Sequence, residues 1–254
     1  MSTPRELYLA ACTQVAESLS PLGFKFARSG PHAQRTNGTF TYRISFQSSH
    51  KNVADHYVAL WVHANVLSKR LAEWRASQAR ALGSGDYVAG GQIGNLLRPH
   101  SWRDWNLAGL SSTAVIADVT SAVHSVALPY FHRFTDIPSL CVLLQREELP
   151  AMDTAHAIEF LLCFADRSAA DTALVRFFRS RPELLDDYRI HLQEFKERGL
   201  PQVRRTGFAY ELAFATVAYG LTPPDAAQPG AAPNGGPAAP VGISRGTPGP
   251  PSVS

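Results

Sequence analysis

Charge and sulfur are both in short supply in this chain. Asp, Glu, Lys and Arg make up 18% of its 254 residues and leave a net charge of +3, whereas about 25% is usual for a soluble domain. A protein that tracks phosphates concentrates Lys and Arg far more than this. The pI near 8.8 therefore reflects a few surplus arginines, and nucleic acid is not the expected partner. Lysine is scarcer than arginine, while alanine, proline and glycine abound, the habit of a GC-rich bacterial genome. The three cysteines, Cys12, Cys141 and Cys163, are widely spaced and each sits in an apolar helical pattern. An odd number without metal spacing argues against a disulfide framework and points to buried, reduced thiols. Arg5, Glu6 and Glu17 interrupt any signal-peptide core, and no apolar run reads as long enough to span a bilayer. A cytoplasmic location without membrane contact is expected.

Patterns that announce chemistry are missing as well. No Gly-x-Ser-x-Gly elbow occurs, and none of the nine histidines pairs at His-x-x-x-His spacing. Cys12 falls inside the apolar stripe of a helix, where a thiol ionises poorly. Asp153 and His156 are three apart and can meet on a helix face, but two ligands do not make a metal site. Pro129 separates His124 from His132. The adjacent pairs Glu147-Glu148 and Asp186-Asp187 point in different directions from a helix and read as solvated surface. Arg176, Arg179 and Arg181 gather at a helix end, where cations meet the dipole favourably, and read as a solvated basic edge, as do Arg204 and Arg205. The glycine-rich run from Gly83 to Gly94 lacks the closing Lys-Ser/Thr of a phosphate loop and sits in no βαβ repeat. It reads as a flexible surface loop. Neither a cofactor nor a metal nor a catalytic set is expected.

What the chain does contain is a pair of strands with chemically different faces. Phe40, Tyr42, Ile44 and Phe46 alternate with Thr41, Arg43, Ser45 and Gln47; Val58, Leu60, Val62, Ala64 and Val66 alternate with Tyr57, Ala59, Trp61, His63 and Asn65. A period of two places each set on one side of a sheet. The first set is a core face. The second is polar yet carries two large aromatics, and so holds donors, acceptors and stacking surface together. Arg43, Ser45, Gln47, Tyr57, Trp61, His63 and Asn65 are the candidate binding residues. The competing reading is that a later helix or the glycine-rich loop covers this face.

Around these strands the chain reads as α+β. Residues 4–20 form an amphipathic helix with Thr3 as N-cap and a stop at Pro21-Leu22-Gly23. Asn37-Gly38 is a hairpin turn. Residues 68–81 read as helical, and 82–110 as a long loop of a kind that is often functional or mobile. A helix starts at Ser111 and is disturbed at Pro129. Helices over 136–149, 153–165, 168–180 and 182–198 follow, with Ser168 and Asp171 as a capping box and Gly199-Leu200-Pro201 as a stop. Residues 206–219 form a last apolar segment that fits helix or strand, and reads as helix because Phe208, Leu212, Ala215 and Tyr219 fall on one side. From Leu221 the chain is dominated by Pro, Gly and Ala, with almost no charge and no aromatic residue, the composition of a disordered tail.

The opening helix, the Gly23-Phe24 entry strand and the strand ending Phe46-Gln47-Ser48-Ser49 together resemble a bacterial family of domains of unknown function, over roughly residues 5–135. The resemblance implies an α+β domain with no agreed catalytic residues. The expected architecture is an antiparallel sheet of three to five strands packed with helices over 1–135, a C-terminal helical bundle over 136–220 and a tail over 221–254. The expected function is a non-enzymatic cytosolic module that binds another protein through the polar-aromatic face. The alternative is a small-ligand binder or enzyme with a pocket between that face and the 82–110 loop, His63 acting as acid or base.

Overall fold

Thr3 starts the first helix. Its hydroxyl accepts from the Glu6 amide at 3.2 Å, and the Glu6 carboxylate accepts from the Thr3 amide at 2.8 Å, a reciprocal capping box. The computed structural model describes residues 3–53, 55–109, 112–203 and 205–224. The tail expected from 221 onward therefore lies outside the described residues from 225, as do the expected helix start at Ser111 and Arg204. Within the described part, Leu221 is buried and Thr222 hydrogen-bonds Asp171 through both amide and hydroxyl.

Helix α1 (Pro4–Leu19) buries Tyr8, Ala11, Cys12, Val15, Ala16 and Leu19, the stripe that helical spacing dictates. Gly23 (φ 83°) then turns the chain into β1 (Lys25–Ala27), β2 (His32–Asn37) and β3 (Phe40–Gln47). Strands β4 (Ala59–Leu67) and β5 (Tyr87–Gln92) complete an antiparallel meander in the order β1-β2-β3-β4-β5, and the short β6 (Trp105–Asn106) pairs with β4. Asn37-Gly38 makes the β2–β3 turn, with Gly38 at φ 55°.

Strand β5 corrects the reading of the glycine-rich run as a flexible loop. Gly90 and Gly91 are strand residues paired with Asn65 and Ala64. A Cβ on Gly90 would lie 2.2 Å from the Ala64 carbonyl oxygen, so glycine here permits close backbone approach, a use that erases the side-chain alternation by which strands are recognised. The outer edge of β5 is met by the 148–152 loop, where Gly90 N–H donates to Ala151 O at 2.8 Å.

Helix α2 (Lys69–Ser77) is capped by Ser68. Later, α3 (Ser112–Ala122), a π-turn (Val123–Ala127) and α4 (Leu128–His132) form one run; the π-turn precedes Pro129, which cannot donate to the helical ladder. Contrary to the sequence expectation, this 21-residue run (Ser112–His132, mean hydropathy 1.3) is long and apolar enough to cross a membrane by length and composition. In the fold it buries Val119, Val123, Ala127 and Phe131. Helices α5 (Ile137–Arg146), α6 (Thr154–Phe164), α7 (Arg167–Ser180), α8 (Leu185–Arg198) and α9 (Phe208–Tyr219) follow. Asp136, Asp153 and Asp166 cap α5, α6 and α7. Asp166 thus displaces the expected Ser168 cap, because its carboxylate reaches the Ala169 amide at 2.8 Å. Helix α9 is buried on most of its circumference, while Phe208, expected on its buried side, is 54% exposed.

The apolar sheet face packs on α4 and α6. Phe40 lies 6.2 Å from Phe160 and 5.6 Å from Phe164, and Tyr42 stacks on Phe131 at 5.0 Å. All three cysteines are buried and free, with burial pushing the Cys12 thiol up to about 12. Beneath α2, the fully buried Glu159 carboxylate receives Arg75 Nε (2.8 Å), the amides of Leu82 (2.7 Å) and Gly83 (2.9 Å), and the Tyr219 hydroxyl (2.6 Å). Arg75 also donates to the carbonyls of Gly85 and Tyr87. One buried ion pair thereby ties α2, the entry to β5, α6 and α9 together.

Candidate functional site

Antiparallel register sets six of the seven candidate residues opposite one another; Tyr57 lies two residues before β4, where it forms an isolated bridge with Val53. Arg43 pairs with Asn65, Ser45 with His63 and Gln47 with Trp61 across β3 and β4. Directly paired side chains share a face, about 4.5–5.5 Å apart at Cβ. The rows extend outward through β2, where Gln34 lies beside Arg43 and His32 beside Ser45, and through β5, where Gln92 lies beside His63. Gln47 is exposed, and Arg43, Ser45, Trp61, His63 and Asn65 are half-buried. The helices lie against the opposite, apolar face.

One end of the polar face is framed by the segment between β5 and β6. Trp102 is 58% exposed, with its ring edge-on to Trp61 at 5.9 Å and to His63 at 6.3 Å. Asp104 accepts from Trp61 Nε1 at 3.0 Å and from the Tyr57 hydroxyl. That hydrogen bond, with burial second, pushes the Tyr57 phenol up to about 12. The segment is fixed from below: Gln92 Nε2 donates to Arg103 O, Gln92 Oε1 accepts from Gly94 N, and a Cβ on Gly94 would lie 1.7 Å from the Ser101 carbonyl oxygen. Trp102, Asp104 and Gln92 are members of the face that alternation alone missed. The Trp-Arg-Asp-Trp run from 102 to 105 was the available signal, hidden inside what reads as a loop.

The electrostatics of the face are one-sided. Arg43 Nε and one terminal nitrogen both donate to Gln34 Oε1, at 3.2 and 3.1 Å, and no carboxylate pairs with Arg43 among the described residues. Lys25, next to Gln34, is exposed. The acid on this face, Asp104, is held by Tyr57 and Trp61. His63 makes no hydrogen bond among the described residues; its Nε2 is buried without a partner, and burial holds its pKa below the ordinary 6.5. An imidazole without an orienting partner is poorly placed for acid–base work. Among the described residues no cluster of three or more His, Cys, Asp or Glu side chains could hold a metal ion.

The 82–110 segment does wall a cleft, but on its other side. Tyr87, Gly90, Asn95, Arg98 and His100 line it together with residues of the C-terminal helices, and none of the seven candidate residues takes part in it.

Residues 15–133 match the family model of a domain of unknown function (DUF4304). No curated protein and no solved structure matches the chain. The matched span holds all seven candidate residues and the 98–104 segment that frames them.

Proposed function

For a chain carrying this domain of unknown function, we propose a non-enzymatic role: it binds another protein, receiving an acidic segment of that partner on the polar face of the sheet. The observation that carries the reading is the registered block Arg43–Asn65, Ser45–His63 and Gln47–Trp61, half-buried apart from the exposed Gln47 and flanked by the exposed Trp102. Among the described residues Arg43 has spare guanidinium donors and no carboxylate partner, so another protein's Asp or Glu would complete it with charge-assisted bonds. Trp61 and Trp102 offer rigid apolar area of the kind that dominates binding energy at interfaces. Asp104 fixes the Trp61 indole in place, which lowers the ordering cost of association. His63, without an orienting partner among the described residues, argues for contact rather than proton transfer.

The test is the double substitution Arg43→Ala, Trp61→Ala in the full chain, with circular dichroism confirming the fold. Each side chain lies at the half-exposed surface, so both changes should leave stability within about 1 kcal/mol. Affinity for an acidic, aromatic-containing partner segment should fall at least about tenfold, or about 1.4 kcal/mol. Unchanged partner proteins in a pull-down with the double variant would sink the proposal.

A further inference from the structure

We propose that the cleft between β5 and the C-terminal helices is a binding site for a small organic oxyanion with an apolar body. The cleft encloses about 550 Å³, within the range of roughly 300–1,000 Å³ typical of small-ligand sites. It is separate from the sheet face and stands or falls on its own.

Three guanidinium groups converge on one carboxylate here. Arg181 holds Glu148 through both terminal nitrogens, Arg176 approaches it at 3.8 Å and Arg98 at 4.0 Å. Glu183 is a more distant acid acting on Arg181. Among the described residues cations thus outnumber the acids that answer them, and Arg176 Nε is buried with no acceptor. Proteins seldom retain unbalanced, partly desolvated charge without a ligand or partner to answer it. Since Glu148 already occupies the fork of Arg181, the spare donors belong to Arg98, whose side chain is 58% exposed. A planar guanidinium presents paired donors that suit carboxylate and phosphate oxygens alike.

The rest of the wall supplies an apolar seat and an oriented polar group. The buried Phe177 and the exposed Phe208 both line the cleft, 6.2 Å apart, and Phe208 is the aromatic that helical periodicity places on the buried side of α9. On the far side, Asp153 Oδ2 lies 2.7 Å from His156 Nδ1, fixing the imidazole, and His156 Nε2 is left without a hydrogen bond among the described residues. The loop between is pinned by the Gly90–Ala151 hydrogen bond and holds Ala151 at φ 55°. A non-glycine residue in the left-handed region is uncommon, and such residues cluster where geometry serves binding. The wall is therefore preformed.

The experiment titrates the full chain with phenyl phosphate, benzoate and inorganic phosphate at low salt, followed by ligand-observed NMR and calorimetry. Saturable binding of phenyl phosphate or benzoate is expected, and the stronger of the two identifies the head group as phosphate or carboxylate. Arg98→Gln, an exposed substitution with little risk to folding, should weaken binding about tenfold. Phe208→Ser should weaken the aromatic ligands and leave inorganic phosphate unchanged. Absence of saturable binding to any of the three probes, or equal affinity in Arg98→Gln, would overturn the proposal.

Discussion

The Glu159 carboxylate is the place where one substitution should cost most. Glu159→Ala leaves the Arg75 guanidinium buried without its counter-charge, a loss that typically runs to about 3–5 kcal/mol. It also strips the acceptor from the Gly83 amide and the Tyr219 hydroxyl, each worth about 1–3 kcal/mol when left unsatisfied. Leu82 N–H retains a second acceptor, the Tyr219 oxygen at 2.8 Å, so its loss is partial. These terms share one site and do not add fully. A destabilisation of about 4 kcal/mol or more is expected, against about 5–15 kcal/mol for a whole domain. At roughly 2–4 °C per kcal/mol, the melting temperature should fall by about 8–16 °C. Urea unfolding followed by far-UV circular dichroism measures this directly, with an unchanged slope confirming that the native state stays intact. The double variant Arg75→Met, Glu159→Leu sharpens the reasoning. Were the ion pair alone at stake, an apolar replacement would be neutral or stabilising. Because Glu159 also serves backbone amides, and Arg75 the carbonyls of Gly85 and Tyr87, the double variant should stay about 2 kcal/mol or more below the parent. A double variant as stable as the parent would refute the account, as would Glu159→Ala within about 1 kcal/mol of it.

Three further outcomes are expected. His63 is depressed below 6.5 by burial, so the unfolded chain takes up its proton first. Stability should therefore be full above pH 6.5 and fall as the pH drops through the folded-state value; His63→Gln should flatten that part of a pH series of urea midpoints, and an unchanged profile would reject the assignment. Gly94→Ala places a methyl against the Ser101 carbonyl oxygen, an overpacking cost of about 1–3 kcal/mol, and should displace Trp102 from Trp61 with a visible change in near-UV circular dichroism. Asp166→Ala should lose about 1 kcal/mol as the N-cap of α7, while Ser168→Ala should stay within about 0.5 kcal/mol; the reverse order in thermal melts would restore Ser168 as the cap.

The fold was legible wherever side-chain period, caps and turn residues agreed. Strands β3 and β4 alternate cleanly because one face meets α4 and α6 and the other does not. Strand β5 was not legible, since Gly90 and Gly91 have no side chains to alternate, and the reason for those glycines is the carbonyl of Ala64 on a neighbouring strand. Asp166 lost out to Ser168 on pattern alone, because Ser168 with Asp171 fits a capping spacing while Asp171 instead receives Thr222, more than fifty residues downstream. Local rules decide where an element can start; a distant partner decides which permitted start is used.

The same division governs the two surfaces. On the sheet, the candidate residues come from two adjacent strands, and the alternation within each strand was enough to put Arg43, His63 and Trp61 on polar faces, although residues 48–58 separate β3 from β4. Their frame, Trp102 and Asp104, arrives from about forty residues away and depends on the contact between Gly94 and Ser101. The cleft is assembled from still more distant stretches: Arg98, Glu148, His156, Arg181 and Phe208 lie on separate segments. Each gave a bland sequence signal, an adjacent acidic pair, an arginine near a helix end, a histidine three residues after an aspartate. Arg176 and Arg181 read as a solvated basic edge because nothing local tells how many carboxylates face them. The surplus appears only once the fold gathers Arg98 to the same carboxylate, and charge balance at a convergence point is a property of tertiary structure that no window along the chain contains.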